Sequence, residues 1–335
     1  MGEAVLDTAF LDALRGGAVL APMAGVTDMP FRRLCLECGA VYAVTEMVSA
    51  KGYLMSGERL RAQQELLAVH PDEYGHVALQ LFGHEPDVMA EAAHLLSADG
   101  RYFMIDLNFG CPVPKVCRNG EGSAMMRTPG HAFEVIRAVV AGSRIPVSVK
   151  MRLGYDSAEE YLELAHAAER AGAGLLTLHA RTRSQYYAGQ ADWKCIRRLK
   201  SETGLPVIGN GDITDGVTAR RMFQETGCDG IAVGRAAEGN PFIFDEIRTV
   251  LAGKTWHAPG TEMRRQMLLR HAADLVSFKG ETIGVREMRR HVMNYVKGCR
   301  GAVALRRDIN TITDLKALEA AVNRFFDGLH TESEE

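Results

Sequence analysis

The sequence predicts an α/β fold, a (β/α)8 TIM barrel followed by a small C-terminal helical domain. Eight short apolar runs alternate with amphipathic helical patterns up to about residue 250, and this alternation stops after residue 254. Runs that are apolar throughout are typical of parallel strands covered by helices on both faces. Eight such units within this length fit the size of a barrel. A doubly wound parallel sheet is the alternative.

The eight predicted strands are short and are separated by helical patterns such as residues 158–171. They are AVLA (18–21), AVYAVT (40–45), VALQLF (77–82), FMIDLN (103–108), VSVKM (147–151), LLTLHA (175–180), PVIGN (206–210) and GIAVG (230–234). Glycines end several of the helical patterns, and we expect Gly39, Gly172, Gly204 and Gly227 to act as C-caps.

Beyond the barrel, three amphipathic helices are predicted over residues 263–278, 283–297 and 308–326. No strand pattern lies between them. We therefore expect a barrel domain over residues 1–250 and a separate helical domain over residues 254–326.

The helical domain is basic although the whole chain is slightly acidic. Residues 254–326 hold 14 Lys and Arg against 7 Asp and Glu, a balance of +7 that leaves −10 elsewhere in a chain of net charge −3. Five basic residues recur there at helical spacing: Arg286, Arg289, Arg290, His291 and Lys297. They could be a solvated helix face. A basic module on an acidic barrel favours a polyanionic partner instead.

Composition excludes several classes of protein. The 335 residues are 47% hydrophobic and 24% charged, unlike a disordered or fibrous chain. No run of 18 apolar residues occurs, and acidic residues stand where a signal peptide needs basic ones, so we expect a cytoplasmic protein with no membrane segment. The seven cysteines form no paired framework, which predicts reduced thiols and no metal site.

Conspicuous polar residues follow the predicted strands at the end where barrels build their active sites. They include Gln80, Asn108, Cys111, Lys150, Arg152, His179, Arg181, Asn210, Asp212 and Arg235. Each alone could be a satisfied core or turn residue. Polar groups at the same edge of every strand would be costly in a pure core, so we expect them to converge on a ligand.

Glycine-rich turns after the seventh and eighth strands fit a phosphate. Gly209 and Gly211 allow close backbone approach, and Gly234 is followed by the cation Arg235. Flavin mononucleotide (FMN) sits in barrels with its phosphate at this place, but aldolase-like barrels bind phosphates there too.

Nine segments together resemble one family, the tRNA-dihydrouridine synthases, most closely the bacterial B-type subfamily. They are LAPMAGVTDMPFRRL (20–34), EM (46–47), LQLFG (79–83), IDLNFGCPVPKV (105–116), GEGSAMM (120–126), VSVKMRLG (147–154), LTLHARTRSQYYAG (176–189), PVIGNGDI (206–213) and DGIAVGRAAEGNPFIF (229–244). The resemblance implies an FMN enzyme that reduces a uridine C5=C6 bond in tRNA, with NADPH as the usual reductant.

The same resemblance implies a role for each matching residue. Cys111 matches the catalytic proton donor, and Asn108 and Arg152 match positions that touch the ring system or the uracil. Arg181 is a further expected substrate contact. The expected FMN contacts are Pro22, Met23, Ala24, Gln80, Lys150, His179, Asn210, Gly211, Asp212, Gly234 and Arg235. Arg286, Arg289 and Arg290 are the expected tRNA contacts of the helical domain.

Uracil chemistry explains the need for a thiol and a cation. Hydride added at C6 leaves an enolate that needs a proton at C5, and a thiol of ordinary pKa about 8.5 carries that proton near pH 7. Lys150 can stabilise negative charge on a reduced flavin.

Three other functions are open at this point. The first is a small-molecule flavoenzyme of the dihydroorotate dehydrogenase type, which would need no basic tail. The second is an aldolase in which Lys150 forms a Schiff base. The third is an RNA-binding protein that has lost catalysis. We expect a monomer.

Overall fold

The computed structural model describes residues 5–56 and 60–331, with side chains up to residue 329. The first four residues of the N-terminal segment considered above therefore lie outside the described residues. Nine parallel strands form one sheet in this part of the chain: β1 (Gly17–Leu20), β2 (Ala43–Val44), β3 (Val48–Ser49), β4 (Val77–Phe82), β5 (Met104–Phe109), β6 (Val147–Arg152), β7 (Leu175–His179), β8 (Val207–Asn210) and β9 (Gly230–Val233).

The sheet closes into an eight-stranded barrel, which confirms the predicted TIM barrel and rules out the doubly wound sheet. β1 pairs with β9 on one side and β2 on the other, and β2 pairs with β4 to complete the ring. The predicted second strand over 40–45 is shorter than expected and is followed by the separate strand β3. Between the two, Glu46 turns to accept a hydrogen bond from the Gly25 N–H, which interrupts the strand at the barrel mouth.

Fifteen α-helices are present in the described residues. They are α1 (Thr8–Leu14), α2 (Met29–Glu37), α3 (Ala50–Ser56), α4 (Arg61–Leu67), α5 (Pro86–Leu96), α6 (Pro114–Cys117), α7 (Pro129–Gly142), α8 (Glu160–Arg170), α9 (Trp193–Glu202), α10 (Gly216–Thr226), α11 (Ile243–Leu251), α12 (Thr261–Lys279), α13 (Glu281–Tyr295), α14 (Ala302–Ile309) and α15 (Leu315–Thr331). Throughout the described ranges, none of these helices has the length and apolar character needed to cross a membrane.

Glycine caps follow the prediction at three of four positions. Gly39, Gly172 and Gly227 have positive φ just past the ends of α2, α8 and α10. Gly204 was predicted wrongly, because α9 ends at Glu202 and the extended residue Thr203 terminates it.

The helices after residue 254 pack around an apolar cluster of their own, which includes Leu268, Val292, Leu318 and Phe326. The helix predicted over 308–326 corresponds to α15, which begins later, at Leu315, and the preceding helix α14 was not predicted. The chain breaks between them because Asp314 accepts a hydrogen bond from the Ala317 N–H and so begins a new helix.

A buried lysine joins these helices to the barrel. Lys279, the last residue of α12, lies 2.9 Å from Asp28 and 2.6 Å from Glu287. Asp28 is the N-cap of α2 and accepts from the Phe31 N–H, so the ion pair fixes the tail against the loop that follows β1.

His291 does not belong to the exposed basic face that the sequence predicted. Its ring is buried at this same junction, with its centroid 4.5 Å from that of His271 and 5.5 Å from that of Phe31. Burial lowers the pKa of His291 to about 4, so the side chain is neutral at pH 7. The surface charge of the helical domain therefore comes from arginines and lysines.

We predict that Lys279→Met lowers the free energy of unfolding by about 3 kcal/mol, because Asp28 is then left buried without its cation. Lys51→Met is the matched control: Lys51 pairs with Glu85, but both side chains are largely exposed. Its loss of stability should be much smaller, because solvent screens an exposed ion pair. Urea unfolding of both variants measures the difference, and equal losses would contradict a structural role for the buried pair.

Candidate active site

A cavity of about 1160 Å³ opens at the carboxyl ends of the barrel strands and reaches the helical domain. It brings together fourteen of the residues predicted from the sequence: Pro22, Met23, Ala24, Gln80, Asn108, Cys111, Lys150, Arg152, His179, Asn210, Gly211, Asp212, Gly234 and Arg235. The convergence arises because parallel strands end at one rim, and each strand contributes its last residues to it.

Cys111 lies in a turn held on both sides. The Asn108 side-chain oxygen accepts hydrogen bonds from the backbone N–H of Gly110 at 3.1 Å and of Cys111 at 2.9 Å. Arg152 Nε donates to the Gly110 carbonyl at 2.9 Å. Burial raises the pKa of the Cys111 thiol, so at neutral pH this residue holds a proton that it can donate.

Lys150 projects from β6 into the cavity. Its Nζ lies 3.5 Å from Asn210 Oδ1, and Asn210 Nδ2 in turn donates to the Ala232 carbonyl at 2.7 Å. Burial, together with the nearby Arg152, lowers the pKa of Lys150 to about 8. The lysine is therefore a cation at pH 7 that loses its charge under mildly alkaline conditions.

A buried carboxylate that the sequence analysis did not single out lies beneath these residues. Asp106 Oδ2 accepts from Gln80 Nε2, and Oδ1 accepts from the Ser148 hydroxyl, both at 2.7 Å. Gln80 Oε1 accepts from Asn108 Nδ2 at 2.8 Å. Burial raises the pKa of Asp106 to about 6, which still leaves it ionised at pH 7.

Arg152 and Arg181 are engaged within the protein. Arg152 is buried and donates to the carbonyls of Thr182 and Tyr186 as well as Gly110. Arg181 Nη2 donates to both oxygens of Asp212, at 2.7 and 2.8 Å, and its side chain is 2% exposed. Arg181 and Gly209 are the predicted barrel site residues that do not line the cavity within the described residues. The prediction for Gly209 is wrong, because a Cβ there would meet Met222 Sδ of α10 at 3.0 Å, on the side of β8 that faces the helices.

His179 is neutral at pH 7. Burial lowers its pKa well below the usual value, and the neighbouring cations Arg152 and Lys150 lower it further. A neutral imidazole can accept a hydrogen bond or pack flat against a ring, and it adds no charge to an already cationic cavity.

The far end of the cavity suits an anion such as phosphate. Arg235 has no acidic partner in the described part of the chain, and its guanidinium lies 4.4 Å from the centre of the Tyr187 ring. Gly234 leaves open space, since an added Cβ would meet only Met23 Sδ at 3.7 Å. Gly211 has φ +123°, and a Cβ there would approach Ala191 to 2.8 Å. These residues fit the phosphate of a mononucleotide.

The three predicted arginines of the tail differ in their surroundings. Arg290 reaches the cavity rim, where its guanidinium pairs with Glu238 at 2.9 Å. Arg289 Nη2 donates to the Ile312 carbonyl at 2.7 Å. Arg286 is exposed on α13, and no acidic side chain of the described residues pairs with it.

Sequence reasoning missed Asp106, Ser148, Gly122 and Tyr187. An acid within the apolar run FMIDLN was the available signal for Asp106. Gly122 was not recognisable as a site residue, because only folding shows that a Cβ there would meet the Cys111 carbonyl at 2.9 Å.

Fold and cavity together define a barrel enzyme with a protonated thiol, a buried lysine and an anion cradle. A family model described as dihydrouridine synthase matches residues 19–329. Over 315 residues the chain is 39% identical to tRNA-dihydrouridine synthase B of Pseudomonas putida, which covers 93% of this chain and 92% of that protein. The probable tRNA-dihydrouridine synthase of Rickettsia bellii is 37% identical over 315 residues, 93% and 95% of the two chains.

The chain therefore belongs to the dihydrouridine synthase family, and it is an oxidoreductase. This membership confirms the resemblance found in the sequence and makes the aldolase interpretation of Lys150 wrong.

Two solved structures share the barrel fold. A 2-naphthoyl-CoA reductase complex has a TM-score of 0.53 at 12% identity and covers 75% of this chain and 49% of that one. Morphinone reductase in complex with tetrahydroNAD has a TM-score of 0.50 at 13% identity, covering 74% and 89%. At these identities the likeness shows the fold alone.

We predict that Lys150→Met raises the free energy of unfolding of the ligand-free chain at pH 7 by about 1–2 kcal/mol. The wild-type lysine is buried as a cation, whereas in the unfolded chain its pKa is the ordinary 10.4 or so. Above pH 8 the folded wild type releases this proton while the unfolded chain keeps it, so wild-type stability rises with pH and the difference narrows.

Urea unfolding at pH 7, 8.5 and 9.5 measures this difference. Lys115→Met, at an exposed lysine on α6, serves as the control and should show no gain. A loss of stability on replacing Lys150 at pH 7 would contradict the assigned cost of burying its charge.

Proposed function

We propose that this protein reduces the C5=C6 bond of a uridine in tRNA to 5,6-dihydrouridine, with FMN as the bound cofactor and NADPH as the reductant. The single observation that carries the proposal is the protonated Cys111 thiol in a cavity that also holds a lysine and an anion cradle. The names of the relatives support tRNA as the substrate.

The cavity residues fit FMN. Arg235, Gly234 and Gly211 would hold the phosphate, with Asn210 and Asp212 toward the ribityl chain. Gln80 and Lys150 would contact the isoalloxazine ring, Pro22, Met23 and Ala24 would line it, and His179 would lie beside it. When bound, the flavin would supply the hydride that is added to C6 of the uracil ring.

Cys111 would donate the proton from its Sγ to C5. A raised thiol pKa suits this role, because the group must arrive protonated, and the turn held by Asn108 and Arg152 restricts where the thiol points. Asn108 and Arg152 also line the cavity and can face the uracil, whereas Arg181 would act through Asp212.

The target uridine must leave its stack to reach this cavity, as in other enzymes that modify bases. We propose that residues 1–250 form the catalytic domain and residues 254–326 the tRNA-binding domain, whose cations contact phosphates without reading sequence. Arg286 is exposed for such a contact, and Lys297 is an exposed cation at the cavity rim. Arg289 and Arg290 would contribute from partly engaged positions. A cytoplasmic monomer suits this activity.

A small-molecule dehydrogenase of the dihydroorotate type is the second candidate. It shares the barrel and the pyrimidine chemistry, but it gives the basic helices no role. Oxidation of a free dihydropyrimidine such as dihydroorotate, without any activity on tRNA, would favour it.

We predict that Cys111→Ala retains flavin and its reduction by NADPH but forms dihydrouridine at least about 100-fold more slowly, as expected for loss of a general acid. The assay uses purified protein, unmodified tRNA and NADPH, with dihydrouridine measured by mass spectrometry. Flavin released from the protein should elute with FMN. Cys228→Ala, at a buried thiol that does not line the cavity, is the control and should act as wild type. Normal product from the Cys111 variant would refute the proton-donor role.

We predict that replacing Arg286 and Lys297 together by Gln weakens tRNA binding. The slope of log K against log salt concentration should become less steep by about 1.4–1.8, because two phosphate contacts are lost. In the control variant, Gln replaces Arg144 and Arg170, which are exposed cations at the opposite, amino-terminal end of the barrel. Binding curves at four salt concentrations give the slopes. Identical slopes for all three proteins would mean that the tail does not supply these contacts.

A further inference from the structure

We propose that Asp106 is a positioning residue that fixes the turn of Cys111 through two side-chain amides in series, Gln80 and Asn108. For its catalytic consequence this inference rests on the proposed function. The arrangement itself is independent of any ligand, because every group in it belongs to the barrel.

Gln80, Asp106 and Ser148 lie at one level of the barrel interior. Gln80 of β4 is in register with Asp106 of β5, and Asp106 is in register with Ser148 of β6. All three side chains are buried, so none can replace a missing partner with bulk water. Asn108 follows two residues after Asp106 and therefore points to the same side of the sheet.

The direction of each hydrogen bond follows from the carboxylate. An ionised carboxylate can only accept, so Gln80 must turn its Nε2 toward Asp106 Oδ2, at 2.7 Å. Its Oε1 is then the atom that faces Asn108, and an amide oxygen can only accept a hydrogen bond. Asn108 must therefore present Nδ2 to Gln80, at 2.8 Å.

This orientation leaves Asn108 Oδ1 facing the turn, where it accepts from the backbone N–H of Gly110 and Cys111. A reversed Asn108 would set Nδ2 against both N–H groups, and two partly buried donors would lose their acceptor. Arg152 holds the carbonyl side of the same turn through Gly110. Asp106 thus restricts the direction of the Cys111 thiol, acting through the side chains of Gln80 and Asn108.

The test compares three variants of the ligand-free chain. Ser148→Ala removes the second partner of Asp106 without altering the direction of any amide. The double variant carries Asp106→Asn as well as Ser148→Ala. The new Nδ2 at position 106 then has Gln80 as its remaining polar neighbour, which favours reversal of the side-chain amides of Gln80 and Asn108. The triple variant adds Gln80→Glu to these two substitutions. Its carboxylate at position 80 can only accept hydrogen bonds, and it can accept one from the new amide at position 106 and one from Asn108.

Amide exchange of Gly110 and Cys111, followed by NMR in D2O, reports on the turn without flavin or RNA. Relative to the Leu176 amide of β7, which donates to the Pro206 carbonyl, exchange should be unchanged in Ser148→Ala. It should be at least about tenfold faster in the double variant and return toward wild type in the triple variant. Equal exchange in the single and double variants, or no recovery in the triple, would overturn the proposal.

If the double variant does not fold, Gln80→Met breaks the same connection in one step. Faster exchange of the Gly110 and Cys111 amides would again support the relay, and wild-type exchange would overturn it. In folded holoenzyme, the double variant should reduce uridine about tenfold more slowly while flavin reduction by NADPH changes less than twofold. Absence of dihydrouridine with the wild type would refute the proposed function and leave the exchange result to decide the relay.

Discussion

A buried carboxylate must have a donor for each of its oxygens, and this requirement organises the mouth of the barrel. Asp106 obtains its donors from the two neighbouring strands, Gln80 of β4 and Ser148 of β6. Gln80 then offers only an oxygen to Asn108. Asp106, which lies beneath the cavity, therefore fixes the donor-to-acceptor direction of each hydrogen bond in the series. Hydrogen-bond direction, and not shape alone, ties the interior of the barrel to the turn that carries Cys111.

The cavity concentrates positive charge, and this has a cost in stability that a bound anion would offset. Arg152 lies close enough to Lys150 to lower the pKa of the lysine, and both cations also lower that of His179. Backbone carbonyls accept hydrogen bonds from Arg152, and Asp212 accepts them from Arg181, so both guanidinium groups are fixed in place within the protein. Fixed cations of this kind stabilise negative charge without reorganising when it forms.

Buried polar and aromatic contacts attach the helical module to the barrel, in addition to the ion pair of Arg290 with Glu238. Lys279 reaches Asp28 at the start of α2, and the rings of Phe31, His271 and His291 stack beside that pair. The loop between β1 and α2 also forms one wall of the cavity. This junction therefore joins the helical module directly to a segment that lines the cavity.

The sequence by itself determined the eight-unit barrel, the family and the polar residues at the strand ends that line the cavity. Strand periodicity and polar residues at strand ends are local features, and parallel strands bring their carboxyl ends together whatever the loops do. It did not determine the interruption after β2 or the break between α14 and α15, because each depends on a single polar contact, of Glu46 and Asp314, that competes with regular structure.

Only the tertiary structure decided which charges are free and which groups orient others. Arg286, Arg289 and Arg290 are alike in sequence, yet one is exposed, one bonds a carbonyl and one pairs with Glu238 from the barrel. His291 shares their helical spacing and is buried. Asp106 gains its importance from register with β4 and β6. Partners that lie tens or hundreds of residues apart in the chain set these roles, and a one-dimensional pattern records spacing along the chain but not proximity across it.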